Sequence, residues 1–133
     1  MSMIKDMKTY LVSKGVSTPI FLGSIPDGEA ECIGLYRYAG KAPLNDAQIE
    51  RAGMQVRSRH VSYEEAIANA RLICGMLWEI GDEVRGSGEM TEIDGTKYAR
   101  VLPVQSAVAL GAESNDYVEV VQSFEVDIAL AES

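Results

Sequence analysis

Met54-Gln55-Val56-Arg57-Ser58-Arg59, followed across His60-Val61 by Ser62-Tyr63-Glu64-Glu65, decides the fold. The first six residues alternate. Met54 and Val56 point one way, and Gln55, Arg57 and Arg59 point the other, which describes a strand with one buried face and one polar, basic face. Ser62 and Glu65 have the spacing of a capping box. The serine hydroxyl can accept from the N–H of Glu65, and the Glu65 carboxylate can reach back to the N–H of Ser62. A strand therefore feeds a capped helix through a very short connection.

Downstream, Ala66, Ala70, Ile73, Leu77 and Ile80 form one helical stripe, widened by Ile67, Cys74 and Trp78. The spacing predicts a core helix from Tyr63 to about Ile80, ended by Gly81. Upstream, Ile4, Met7, Leu11 and Val12 predict a first helix over about residues 3–14, with Gly15 as its cap. Pro19–Gly23 reads as a short buried strand, and Ser24–Gly28 as a turn. Glu31–Ala39 has no fully polar face and reads as a central strand. Gly40–Gly53 reads as a polar connection, with a single helical turn at Asn45–Glu50 capped by Asn45.

After Gly86-Ser87-Gly88, a flexible entry, Glu89–Ile93 and Thr96–Leu102 flank Asp94-Gly95, a hairpin signal. Pro103 marks a bend or an edge, and Gln105–Leu110 resumes as strand. The last strand has the clearest pattern: Val118, Val120, Phe124, Val126 and Ile128 inward, and Tyr117, Glu119, Ser123, Glu125 and Asp127 outward. At about a dozen residues it exceeds the usual 5–6 and should organise the sheet. The order defines an α+β fold over residues 1–133: a single domain with a mostly antiparallel β-sheet and two α-helices packed on one face.

Composition limits the function. A chain of 133 residues that is 47% hydrophobic supports a full core without staples. No apolar run approaches the ~20 residues of a membrane span, and the N-terminus lacks a signal-peptide core, so a soluble protein made in the cytoplasm is expected. Cys32 and Cys74 then read as reduced, buried thiols. The net charge is −8, and no basic residue follows Arg100. Glu113, Asp116, Glu119, Glu125, Asp127 and Glu132 thus look unbalanced, which argues against gripping a phosphate backbone.

No catalytic constellation stands out. His60 is the one histidine and has no cysteine neighbour, so it reads as a turn residue with a local hydrogen bond. P-loop, dinucleotide-binding and nucleophile-elbow motifs are missing, and neither a cofactor nor a metal site is expected. Glu64 and Glu65 already have a reason in the helix dipole. Arg57 and Arg59 are either an exposed strand face or a surface that pairs with acidic residues of a neighbouring subunit. The hairpin residues Glu89, Met90, Glu92 and Asp94 are candidates for the same subunit interface.

In order along the chain come Tyr10–Gly15, Phe21-Leu22-Gly23 with Pro26-Asp27, Ile33-Gly34-Leu35-Tyr36 with Tyr38-Ala39-Gly40, Gln55–Arg59 with Ser62–Ala66, Ala109-Leu110-Gly111, and Glu119–Val126. This succession resembles the small minor capsid or tail terminator proteins of long-tailed bacteriophages and prophages, over nearly the full length. The resemblance implies a structural virion protein without enzymatic activity, made in the bacterial host cytoplasm. It implies a ring, usually a homohexamer, that caps the tail tube and joins it to the head connector. The partners would be further copies of itself, the major tail tube protein and the head connector protein. DNA would pass through the lumen without specific binding. Two rival readings stand beside it: a head-completion or neck subunit, and a small-molecule-binding α+β domain.

Overall fold

The computed structural model describes residues 2–26, 28–44, 48–82, 84, 86, 88–110 and 117–130. In chain order they form α1 (Met3–Ser13), β1 (Ile20–Leu22), β2 (Cys32–Leu44), β3 (Ile49–His60), α2 (Tyr63–Trp78), β4 (Thr91–Ile93), β5 (Thr96–Pro103), β6 (Val108–Leu110) and β7 (Val118–Ala129). The strands make one seven-stranded sheet in the order β1-β2-β3-β7-β5-β4, with β6 also on β7. Every pairing is antiparallel except β1 with β2.

Both helices lie on one face of this sheet, as their periodicity requires. Met3, Met7 and Leu11 of α1 and Ile73 and Leu77 of α2 are buried in one core with Ile33, Leu35, Met54, Val56, Val101, Phe124 and Val126. Ala66 and Ala70 let the first half of α2 approach Val120 closely. Burial of each such aliphatic side chain contributes about 1.5–3 kcal/mol. Ser2 caps α1, its Oγ accepting from Lys5 N–H at 3.3 Å. The helix ends in a Schellman motif: Gly15, at φ 99°, donates to Val12 O, and Val16 N–H donates to Leu11 O. A buried hydrogen bond of 2.5 Å from Tyr98 Oη to Asp6 ties α1 to β5. Burial, reinforced by this carboxylate, pushes the Tyr98 phenol far above its ordinary pKa, so it serves as a permanent donor.

Several expectations need correction. The segment Gly40–Gly53 is not a polar connection. β2 runs on to Leu44 and β3 starts at Ile49, with Lys41 opposite Arg51 and two register shifts along the pairing. Ile49 and Glu50 are strand, which overturns the helical turn there, and Asn45, Asp46 and Ala47 lie outside the described residues. The alternation signal is missing because Ala39 to Ala42 are exposed throughout, so neither face needed apolar residues. β1 is an edge strand rather than a buried one, with only Ile20 fully covered. The strand expected over Gln105–Leu110 is confined to Val108–Leu110.

The capping box forms by half. Ser62 Oγ accepts from Glu65 N–H at 3.4 Å, but Ser62 N–H donates to His60 Nδ1 at 3.0 Å instead of meeting the Glu65 carboxylate. The histidine reaches that donor from the strand side. The hairpin turn forms as expected, with Asp94 and Gly95 both at positive φ, 48° and 85°.

Candidate assembly face

The helices leave the second face of the sheet uncovered, and its outward side chains come from the odd positions of β7. Glu119, Val121, Glu125 and Asp127 are all buried there. They are buried because β7 has a strand on each side, β3 on one and β5 and β6 on the other. The acidic residues are charge-matched by those neighbours. Glu119 receives Arg59 Nε at 2.7 Å and Arg57 NH1 at 3.1 Å. Glu125 meets Lys41 Nζ at 3.2 Å and Arg100 at 3.9 Å. Asp127 accepts from Arg100 Nε at 2.6 Å. Glu119, Glu125 and Asp127 are therefore not an unbalanced acidic surface, which corrects that expectation. Glu113, Asp116 and Glu132 lie outside the described residues.

Aromatic rings extend this arrangement. The Arg57 guanidinium sits 5.0 Å from the Tyr36 ring centre, and that of Arg59 sits 4.4 Å from Tyr117. Such stacking favours a cation held in a dry setting. Tyr38 lies across Gly53, where any Cβ would strike its ring, and its hydroxyl reaches Phe124 O at 3.4 Å. Ile25 covers Gly34 in the same way.

Glu125 and Asp127 share a face two residues apart, and Asp127 Oδ1 is buried without a partner. Burial, with the Glu125 carboxylate alongside, raises the Asp127 pKa despite Arg100. Burial also acts to raise Glu125, but hydrogen bonding with Asp127 and Lys41 and the charges of Lys41 and Arg100 outweigh it, so Glu125 is lowered.

Each sequence-predicted interface residue has a definite place. Arg57 and Arg59 lie side by side on β3, and Arg57 also donates to Gln55 at 2.8 Å and Arg59 to Glu29 O at 3.3 Å. Glu92 is exposed on β4, with exposed Glu89 and Met90 just before it and exposed Asp94 in the turn after it. The two groups do not meet within the chain, because β7 and β5 separate β3 from β4. The hairpin is also less of a projection than its composition suggests, since Ile93 is buried against the core. Sequence reading missed Lys41, Arg100 and the pairing role of Glu119. The available signal was acidic alternation on the last strand facing basic alternation at Arg57 and Arg59.

Elsewhere the chemistry is sparse. His60 Nε2 faces Glu31 at 3.6 Å. Cys32 and Cys74 are unbridged, and burial pushes the Cys32 thiol up. Among the described residues no three His, Cys, Asp or Glu side chains gather as metal ligands. A shallow groove of about 520 Å³ along α2 is lined by Arg71, Leu72, Gly75, Met76 and Glu79. None of the described helices is long and apolar enough to cross a membrane.

Fold and face together define a single α+β domain with one helix-covered and one open, charge-paired sheet face. The same fold occurs in a solved structure described as the virion of a native gene transfer agent (GTA) particle. The likeness covers 96% of this chain and 94% of that one, with a TM-score of 0.60 at 13% sequence identity. No protein-family model matches the sequence, and no curated protein matches it.

Proposed function

We propose that this protein is a structural component of a phage-like virion, a tail terminator that closes as a homohexameric ring on the tail tube and joins it to the head connector. The observation that carries this reading is the shared fold, nearly end to end, with a chain of the gene transfer agent virion. The order of motifs along the sequence supports the finer role. The architecture suits it as well: a sheet that, among the described residues, is open at both lateral edges favours closed cyclic assembly, which hides them. In this reading the protein is not an enzyme. Its partners are other copies of itself, the major tail tube protein and the connector, and DNA traverses the lumen unbound.

Light scattering across concentration, with electron microscopy of the protein added to purified tail tubes, tests the proposal. Hexamers, or rings seated at tube ends, are expected. A strict monomer at every concentration that also leaves tube ends bare would refute it. Rings that seat on the head connector and ignore the tubes would move the role to the neck.

A further inference from the structure

The two lateral edges of the sheet carry opposite charge and matching backbone. β1 covers β2 only at Ile33–Leu35. From Tyr36 onward, no strand among the described residues lies on that side of β2. Ile33 N–H donates to Pro19 O, and Leu35 O accepts from Gly23 N–H, so odd positions of β2 direct their backbone groups to this side. Arg37 is the next of them, and its N–H and C=O face the open edge. At the far end of the sheet, among the described residues, β4 pairs with β5 alone. A two-residue turn makes Ile93 and Thr96 the closely bonded pair, so Thr91 and Ile93 spend their backbone groups on β5. Glu92 between them presents its N–H and C=O outward.

We infer that these edges join in trans, with β4 of one copy adding in parallel to β2 of the next through Arg37 and Glu92. The inference rests on the ring reading above and locates its seam. Four successive antiparallel pairings separate β2 from β4, so the two strands run the same way. A copy added alongside, helices on the same side, therefore meets its neighbour in parallel. In a parallel pair, one residue bonds to both residues flanking its opposite number, and opposite residues share a face. The Arg37 side chain lies on the helix-covered face, opposite Met54, as do Thr91 and Ile93. Arg37 set opposite either one bonds to the outward groups of Glu92. Backbone polarity and facing thus agree without adjustment.

The charges of the two edges are also opposite, with Arg37 on the helix-covered face and Lys41 and Glu92 on the other. Arg37 and Lys41 on the β2 side have side chains 49% and 65% exposed. Met90, Glu92 and Asp94 are exposed on the β4 side. Arg37 holds Glu50 through an exposed contact that exchanges at little cost, and the exposed Lys41 holds the buried Glu125. Arg57 and Arg59 sit one strand further in and share Glu119. The seam is short, because β4 has three residues and the register of β2 shifts after Tyr38. Each copy holds one edge of each kind, so the contact repeats head to tail, and in the ring reading its rotation closes.

The test uses the full chain and three variants. Glu92→Arg alone, or Arg37→Glu with Lys41→Glu, should reduce the assembled fraction at least tenfold with unchanged circular dichroism. An equimolar mixture of the two should restore assembly, since every junction of an alternating ring regains opposite charges. Glu92→Pro removes the outward N–H together with the carboxylate and should also block assembly. If the unmodified protein assembles and neither the charge swaps nor Glu92→Pro change it, the seam is wrong and the ring reading survives. Failure of the mixture to restore assembly also refutes the seam. A parent protein that never assembles, alone or on tail tubes, overturns the ring reading and the seam together.

Discussion

Glu119→Ala should destabilise the fold by about 2–3 kcal/mol, a value set between two limits. Removing one member of a fully buried ion pair costs about 3–5 kcal/mol, because the partner is left desolvated and unmatched. An exposed pair contributes about 0–1 kcal/mol. The Glu119 side chain is 10% exposed, Arg59 15% and Arg57 38%. The Arg59 contact therefore lies near the buried limit and the Arg57 contact near the exposed one. For a chain of this size the loss amounts to about 10 °C in Tm. Urea denaturation at pH 7 on single and double variants isolates the two couplings. Arg59 with Glu119 should couple by about 2 kcal/mol and Arg57 with Glu119 by about 0.5 kcal/mol or less. Raising salt should erode the second coupling more than the first, since screening reaches exposed charges first. If Glu119→Ala lies within about 0.5 kcal/mol of the parent, or Arg57 proves the stronger partner, the account of a dry, matched charge stripe fails.

Leu77→Ala should cost about 2–5 kcal/mol in chemical denaturation, since Leu77 is fully buried between α2 and the sheet. A nearly silent substitution would contradict the packing of that helix. Ser58→Ala should stabilise by about 1 kcal/mol, because the Ser58 hydroxyl is buried opposite Val120 with no hydrogen-bond partner; a clear loss of stability would indicate a partner, such as a trapped water. Asp127 has a raised pKa in the fold, so its contribution is full below the ordinary value of 3.8 and is lost as pH rises through the raised one. Urea midpoints of Asp127→Asn should therefore gain on the parent as pH rises above about 4, and a gain in the opposite direction would refute the assignment. Mobility-shift assays at physiological salt should show no duplex DNA binding, because Arg57, Arg59 and Arg100 are already engaged by Glu119 and Asp127. Submicromolar, salt-dependent binding would contradict the conduit role.

Residues differ in how much of this was readable from sequence. Tyr63–Trp78 was legible because four buried positions repeat at helical spacing, and Asp94-Gly95 because few residue pairs accept two consecutive positive φ angles. The faces of Met54 to Arg59 in β3, and of β7 apart from Val121 and Gln122, also followed from alternation. Alternation does not say which strands become neighbours, however. Nothing local places residues near 119 beside those near 59, so the link from Arg57 and Arg59 to Glu119 stayed hidden, and with it the charge pairing of the open face. The β2–β3 arm was misread for a related reason. A strand exposed on both faces carries no hydrophobic period, so its composition matches that of a loop. His60 displaced half of the capping box because a ring nitrogen two residues away reached the donor first, a competition that spacing alone does not reveal.

The place of β7 also bears on how the chain reaches its fold. The strand that joins β3 on one side to β5 and β6 on the other occupies residues 118–129, after all the elements it holds together. Until those residues leave the ribosome, the β2–β3 hairpin and α2 can form locally, but the two halves of the sheet have no common strand. Both flanks of the gap then expose backbone donors and acceptors, together with the apolar side chains that Phe124 and Val126 later cover. Closure depends on contacts distant in sequence, which slows folding and lengthens the time during which another nascent chain could occupy the empty slot. Synthesis of many copies side by side would therefore favour strand exchange between them, and slower translation or holdase chaperones should raise the yield of correctly closed subunits.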